Sequence, residues 1–213
     1  MTTAAWIFAA VTALFALTDW FGVITARQGV RYVAKPATLL ALIAVAVALD
    51  PVDPTVRTWM VVGLALSLAG DVLLMLPERW FVAGLASFLT GHLAYVVGLA
   101  VAPTSVPGLL VGSAVVIAAG ALLGRRIVDA VRAGPHPGLT GPVAAYIAVI
   151  SVMVVAAFGT VAAAAIVGAL LFYISDAMLA WNRFVRPLRH GGLAVMVTYH
   201  LGQAGLVAWL VTG

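Results

Sequence analysis

The fold is decided by stretches such as residues 57–80, RTWMVVGLALSLAGDVLLMLPERW. Between Arg57 and Pro77 this stretch carries a single charged side chain, Asp71. A predominantly apolar run of about 20 residues is the length of one membrane-spanning helix, so these residues predict a helix that crosses a lipid bilayer. Because a carboxylate is costly to insert into hydrocarbon, Asp71 is the first candidate for a functional residue.

The composition of the whole chain indicates an integral membrane protein. Of its 213 residues, 64% are hydrophobic and 8% are charged, and the mean hydropathy is +1.17, whereas soluble domains contain about 25% charged residues. The chain has no cysteine, which excludes a disulfide framework and a thiol nucleophile. We find no nucleic-acid-binding motif, so the net charge of +4 indicates topology. The first helix lacks a basic leader region, and we expect it to be retained.

Apolar runs separated by proline, glycine and charged residues predict eight transmembrane helices. Their expected boundaries are roughly 3–24, 35–50, 57–76, 80–101, 106–124, 140–158, 160–180 and 190–212. Short connections predict a compact all-α bundle that forms one domain over residues 1–213. Ten of the eleven Lys and Arg residues fall in odd-numbered loops. By the positive-inside rule we therefore expect both termini on the non-cytoplasmic side, in the bacterial inner (plasma) membrane.

Two carboxylates are expected at the same depth. Asp71 and Asp176 lie six and five residues before the cytoplasmic ends of their helices, which at 1.5 Å per residue is about 9 Å inside the helix end. His92 and His200 lie deeper, ten to twelve residues from the same side. Each of these side chains can also be a packing residue that forms a hydrogen bond across a helix interface. The matched depth of the two aspartates favours a functional pair.

A short internal similarity suggests that the chain has two related halves. Asp71 precedes His92 by 21 residues, Asp176 precedes His200 by 24, and each histidine is followed by leucine. We hypothesise two parallel four-helix repeats related by a pseudo-two-fold axis along the membrane normal. Such an axis would bring the two aspartates to one central cavity.

Three motifs follow one another along the chain: SLAGDVLLML (67–76), FLTGHLAY (88–95) and YISDAMLAWNRF (173–184). In this order they resemble the YhhN family, whose members include the lysoplasmalogenases. The pair Lys35-Pro36 at the expected start of the second helix fits the same pattern, and the resemblance spans nearly the whole chain. It implies a membrane hydrolase that cleaves the vinyl-ether bond of lysoplasmalogen to a fatty aldehyde and glycerophosphocholine or glycerophosphoethanolamine. The catalytic pair that it implies is Asp71 and Asp176.

The chemistry of a vinyl ether suits two carboxyl groups. The bond resists nucleophiles, but protonation of its β-carbon gives an oxocarbenium ion, which water captures to form a hemiacetal that collapses to the aldehyde. One carboxylic acid and one carboxylate supply this chemistry, as they do in glycosidases. Because two such groups titrate as a pair, the sequence leaves open which of them is the acid. No metal or other cofactor is required.

Further polar residues near the aspartates are expected to bind the lysophospholipid, which with membrane lipids is the expected partner. The candidates are Lys35, His92, Tyr173, Asn182 and His200. Lys35 is a candidate for the phosphate, together with Arg31 and Arg183, although these two arginines are equally well explained as topology charges. The oligomeric state is left open.

Three other functions remain compatible with the sequence. The main alternative is a lipid or small-molecule transporter that uses the intramembrane aspartates as proton or cation sites. An intramembrane aspartyl protease also uses two aspartates, but residues 68–71, LAGD, lack a glycine at position 68, and the partner motif is interrupted in residues 173–176, YISD. A metal-dependent lipid hydrolase would use His92, His200 and the two aspartates. The histidines lie on different helices without H-x-x-x-H spacing.

Overall fold

The computed structural model describes residues 2–212, and within this range the chain is helical without a β-strand. Its long helices are α1 (Thr3–Ile24), α2 (Gln28–Ala48), α3 (Pro54–Met75), α4 (Phe81–Val101), α5 (Val106–Ala133), α6 (Thr140–Gly159), α7 (Ala163–Ala180) and α8 (Gly191–Trp209). A π-helical turn lies within α5 at Gly120–Gly124, and a second one, Trp181–Val185, extends α7.

The helices have the length and composition of membrane spans. Seven of them are long and apolar enough to cross a membrane, and α8 has a similar length but contains His200 and Gln203, both buried. Large apolar side chains such as Leu14 (63%) and Leu110 (67%) are exposed, as expected of surfaces that contact lipid. The prediction of an all-α membrane protein is confirmed. The side on which the termini lie, the internal repeat and the single domain stay predictions.

The two ends of the bundle differ in charge. At one end the hydroxyl of Thr2 donates a hydrogen bond to the carbonyl oxygen of Ala48 at 2.7 Å, which ties the start of α1 to the end of α2. At the other end Arg183 forms an ion pair with Glu78, which joins the α7–α8 connection to the α3–α4 connection. Most basic residues lie at this second end, and we call it the basic end.

Close packing of α7 against α8 positions part of the site. A Cβ atom added at Gly168 would lie 2.7 Å from the backbone nitrogen of Leu206, so only glycine permits this contact. Small residues let membrane helices approach closely, where van der Waals contacts and interhelical hydrogen bonds hold them. One such bond runs from the Ser175 hydroxyl to the Val195 carbonyl oxygen at 3.0 Å. This bond fixes α8 beside Asp176.

The second helix begins at Gln28 rather than at residue 35. The prediction treated Lys35-Pro36 as a helix start, but Pro36 lies inside α2. Proline is tolerated within membrane helices because neighbouring groups satisfy the freed backbone atoms. The prediction that Lys35 stands at the start of the helix was therefore wrong. It lies about two turns inside, with 7% exposure.

The fifth helix continues past its predicted end at residue 124 to Ala133. After the π turn Gly120–Gly124, Ile127 and Val131 lie four residues apart on one face and are buried against the extension of α7. This apolar contact keeps the segment helical. The helix carries the basic residues that the sequence analysis assigned to a loop, Arg125, Arg126 and Arg132.

Candidate active site

A cavity of about 550 Å³ opens at the basic end of the bundle. Side chains from α2 to α8 form its wall, and both Asp71 and Asp176 belong to it. A cavity of this size, largely apolar and with a few converging polar groups, is the usual form of a small-molecule site.

Asp71 lies on α3 with 1% exposure and receives contacts from two other helices. From α2, the ammonium nitrogen of Lys35 lies 2.9 Å from Asp71 Oδ1. From α8, the hydroxyl of Tyr199 donates a hydrogen bond to Asp71 Oδ2 at 2.8 Å. One carboxylate oxygen of Asp71 therefore lies in ion-pair contact with a buried ammonium group, and the other accepts a hydrogen bond from a phenol.

Asp176 lies on α7 and has different neighbours. The hydroxyl of Tyr146, on α6, donates a hydrogen bond to Asp176 Oδ2 at 2.6 Å. The Nε2 atom of His92, on α4, lies 3.7 Å from the same oxygen. Within residues 2–212, no Lys or Arg nitrogen lies within 4 Å of this carboxyl group. Asp176 therefore has a phenol and an imidazole as neighbours where Asp71 has an ammonium group.

Aromatic rings connect the two aspartates across the bundle. The ring of His92 packs on Phe172 with centroids 4.6 Å apart, and Phe172 packs on Tyr199 at 5.3 Å. His92 faces Asp176, and Tyr199 donates a hydrogen bond to Asp71. One continuous aromatic cluster therefore contacts both carboxyl groups. Asp71 is contacted from α8 and Asp176 from α4, so each receives a contact from the other half of the chain.

The other residues chosen from the sequence lie in different places. Tyr173 belongs to the cavity wall. Asn182 also belongs to it, but its side-chain oxygen accepts a hydrogen bond from the backbone N–H of Leu188 at 2.8 Å and so holds the α7–α8 connection. His200 lies away from the cavity wall. Its Nδ1 atom accepts a hydrogen bond from the indole of Trp20 at 3.0 Å.

Sequence reasoning missed Tyr146 and Tyr199, the two hydroxyl groups that bond to the aspartates. Each is a phenol within a membrane-spanning helix, a position where a hydroxyl group needs a partner. The sequence signal therefore existed. Identifying the partner, however, requires the rotation of each helix about its axis.

The cavity wall is polar at its rim and apolar further along. The rim includes Gln28, Arg31 and Arg183, and Arg31 also forms an ion pair with Asp19 at 3.3 Å. The apolar part is formed mainly by α4, α5 and α6. It consists of Phe81, Leu85, Leu123, Ile127, Ile147 and Ile150. Such a wall suits an amphiphile with a charged head and a hydrocarbon chain.

Comparison with known proteins identifies the family of this chain. A sequence model of the YhhN family matches residues 30–210. The chain belongs to the YhhN family. A human protein named lysoplasmalogenase TMEM86B is 37% identical over 140 residues, which cover 66% of this chain and 58% of the human protein. A Mycobacterium bovis protein named lysoplasmalogenase is 35% identical over 187 residues, which cover 82% of this chain and 67% of that protein.

The match therefore spans less than two thirds of the length of the human relative. No solved structure matches the chain. Within the described residues, no three His, Asp or Glu side chains cluster as they do around a metal ion.

Proposed function

We propose that this chain is a membrane hydrolase that cleaves the vinyl-ether bond of lysoplasmalogen, a lysophospholipid. The products are a fatty aldehyde and glycerophosphocholine or glycerophosphoethanolamine. The observation that carries the proposal is that two acidic side chains from separate helices, Asp71 and Asp176, share the wall of one cavity. The names of the curated relatives support the same activity.

The two carboxyl groups supply what the reaction needs. A carboxylic acid protonates the β-carbon of the vinyl ether, and a nearby carboxylate stabilises the oxocarbenium ion and accepts a proton from the attacking water. Preorganised charges act strongly in a low-dielectric site that excludes bulk water. Lys35, Tyr146 and Tyr199 hold the carboxyl groups in place through contacts of 2.6–2.9 Å.

The shape of the cavity supports a lysolipid as the substrate. The side chain of Arg31 is 25% exposed at the rim and would bind the phosphate. The single hydrocarbon chain would lie along the apolar wall of α4, α5 and α6, leaving the ether bond between the two aspartates. We also propose the bacterial inner (plasma) membrane as the location, with the basic end in the cytoplasm, since basic loops favour that side.

The comparisons do not favour the transporter alternative, because the relatives are named as hydrolases. A direct assay separates the functions. Purified protein in detergent is given lysoplasmalogen, or its alkyl-ether or acyl analogue, and the aldehyde is measured with and without a chelator. We expect aldehyde from the vinyl ether alone, unaffected by the chelator.

Matched variants complete this experiment. Asp71→Asn and Asp176→Asn should each lower turnover at least about 100-fold, or about 3 kcal/mol. Asp50→Asn is the control, because Asp50 is exposed and lies outside the cavity wall. Full activity in both active-site variants would remove the aspartates from the chemistry. Loss of aldehyde with the chelator would indicate a metal-dependent hydrolase.

A further inference from the structure

We propose that Asp176 is the proton donor, that Asp71 is the carboxylate, and that His92 is the positioning residue for the Asp176 proton. This inference rests on the proposed function, because it assigns roles within the same site. It comes from the unequal surroundings of the two aspartates.

The surroundings of Asp71 stabilise its ionised form. The Lys35 ammonium group, with 9% side-chain exposure, lies 2.9 Å from Asp71 Oδ1, and Tyr199 donates to Oδ2 at 2.8 Å. Removing one partner from a buried ion pair leaves the other charge uncompensated, which is strongly unfavourable. Lys35 and Asp71 therefore remain charged together, with no net charge.

The surroundings of Asp176 lack such a cation. The nearest basic group is His92, and in the described part of the chain no Lys or Arg nitrogen approaches the carboxyl group within 4 Å. A second carboxylate in this site would have no counter-ion, and an isolated charge in a low-dielectric medium is neutralised by protonation. Asp176 therefore holds a proton in the resting site.

The imidazole of His92 specifies where this proton lies. Its Nδ1 atom is 2.7 Å from the carbonyl oxygen of Phe88. A carbonyl oxygen only accepts hydrogen bonds, so Nδ1 carries the hydrogen and Nε2 of the neutral ring presents a lone pair. Nε2 is buried without a hydrogen-bond partner and faces Asp176 Oδ2 at 3.7 Å. A carboxylic acid O–H would satisfy this lone pair after a shift of about 1 Å.

These roles give a closed catalytic cycle. The Asp176 O–H bond breaks as a C–H bond forms at the β-carbon, and water adds to the α-carbon while its proton passes to Asp71. The hemiacetal then collapses: its O–H proton passes to Asp176, the C–O bond to the glycerol breaks, and Asp71 returns its proton to the glycerol oxygen. Both carboxyl groups regain their starting states.

Infrared difference spectra, wild type minus variant, test the assignment. They are recorded without substrate. We expect the Asp176→Asn spectrum to lose a C=O band of a protonated carboxylic acid. The double variant Lys35→Met/Asp71→Asn removes the ion pair without leaving an unpaired ammonium group, and its spectrum should keep the band. In His92→Phe the band should remain but move to higher frequency, because the O–H loses its acceptor. Size-exclusion profiles and circular dichroism check that each variant is folded.

Two spectral results would overturn the inference. One is a carboxylic acid band that disappears in Lys35→Met/Asp71→Asn and persists in Asp176→Asn. The other is the absence of any such band that depends on Asp176, which would mean that the resting proton is on His92 or is missing. The spectra need no substrate, so they are independent of the proposed function. Lack of vinyl-ether cleavage, with the band assigned to Asp176, would refute the function and leave the proton assignment standing.

Discussion

Removal of the Tyr146 hydroxyl tests the chemistry of Asp176 most directly. This hydroxyl donates to Asp176 Oδ2 at 2.6 Å. A hydrogen bond between neutral groups contributes about 1 kcal/mol, and one to a charged group about 1.5–3 kcal/mol. If Asp176 becomes negative as it gives up its proton, the bond strengthens in the transition state, and only that gain affects turnover. We therefore expect Tyr146→Phe to lower kcat about tenfold, or about 1.4 kcal/mol, with little change in KM.

The assay is aldehyde release from lysoplasmalogen at saturating and limiting concentrations, with Tyr95→Phe as the matched control. Tyr95 is a fully buried tyrosine whose hydroxyl also donates at 2.6 Å, to the side-chain oxygen of Gln203, and it lies outside the cavity wall. Its loss should lower Tm while kcat stays near the wild-type value.

Two results would refute the reasoning. An unchanged or raised kcat in Tyr146→Phe would mean that Asp176 does not gain negative charge in the rate-limiting step. Equal losses of kcat in Tyr146→Phe and Tyr95→Phe would mean that the effect arises from loosened packing rather than from the carboxyl group.

Three further predictions concern other parts of the site. Lys35→Met leaves the Asp71 carboxylate without a counter-ion. Turnover should therefore fall at least about 100-fold, or roughly 3 kcal/mol, in the aldehyde assay. Gly124→Leu should lower kcat/KM about 50-fold for long chains and spare short ones. Gly124 lines the cavity, and a Cβ atom added there would lie 3.8 Å from Ile147, so the new side chain fits and fills the cavity. It would displace roughly three methylenes of the substrate at about 0.8 kcal/mol each. Gly120→Leu is the control, because a Cβ atom added at Gly120 would meet no neighbouring side chain or helix within 4 Å, and Gly120 lies outside the cavity wall. His200→Phe should lower Tm and spare kcat, since it leaves the Trp20 indole N–H without its acceptor.

The number and order of the helices were predictable because hydrocarbon leaves the backbone few choices. Every N–H and C=O group must be paired within the span, so each long apolar run becomes a helix. The helix ends were less predictable. Pro36 looks like a helix start, yet α2 begins at Gln28, and α5 runs on to Ala133 because Ile127 and Val131 find an apolar surface.

The depth of the site residues was more predictable than their partners. The rise per residue is fixed, so counting from the helix ends gives Asp71 and Asp176 the same depth, and both belong to one cavity wall. The direction in which a side chain points depends on how neighbouring helices are rotated and packed. For this reason the sequence did not identify Tyr146, and it did not reveal that His200 bonds to an indole away from the cavity.

The charges of α2 support the proposal that the site has one carboxylate and one acid. Arg31 and Lys35 are four residues apart, so they lie on one face of the helix, and they pair with Asp19 and Asp71. No third cation from α2 reaches Asp176. Four residues at 1.5 Å each separate the two cations by about 6 Å along the axis, so a phosphate bound by Arg31 at the rim would stand about one glycerol unit from the level of Lys35. The same helix that neutralises Asp71 would therefore set how far the ether bond enters the cavity.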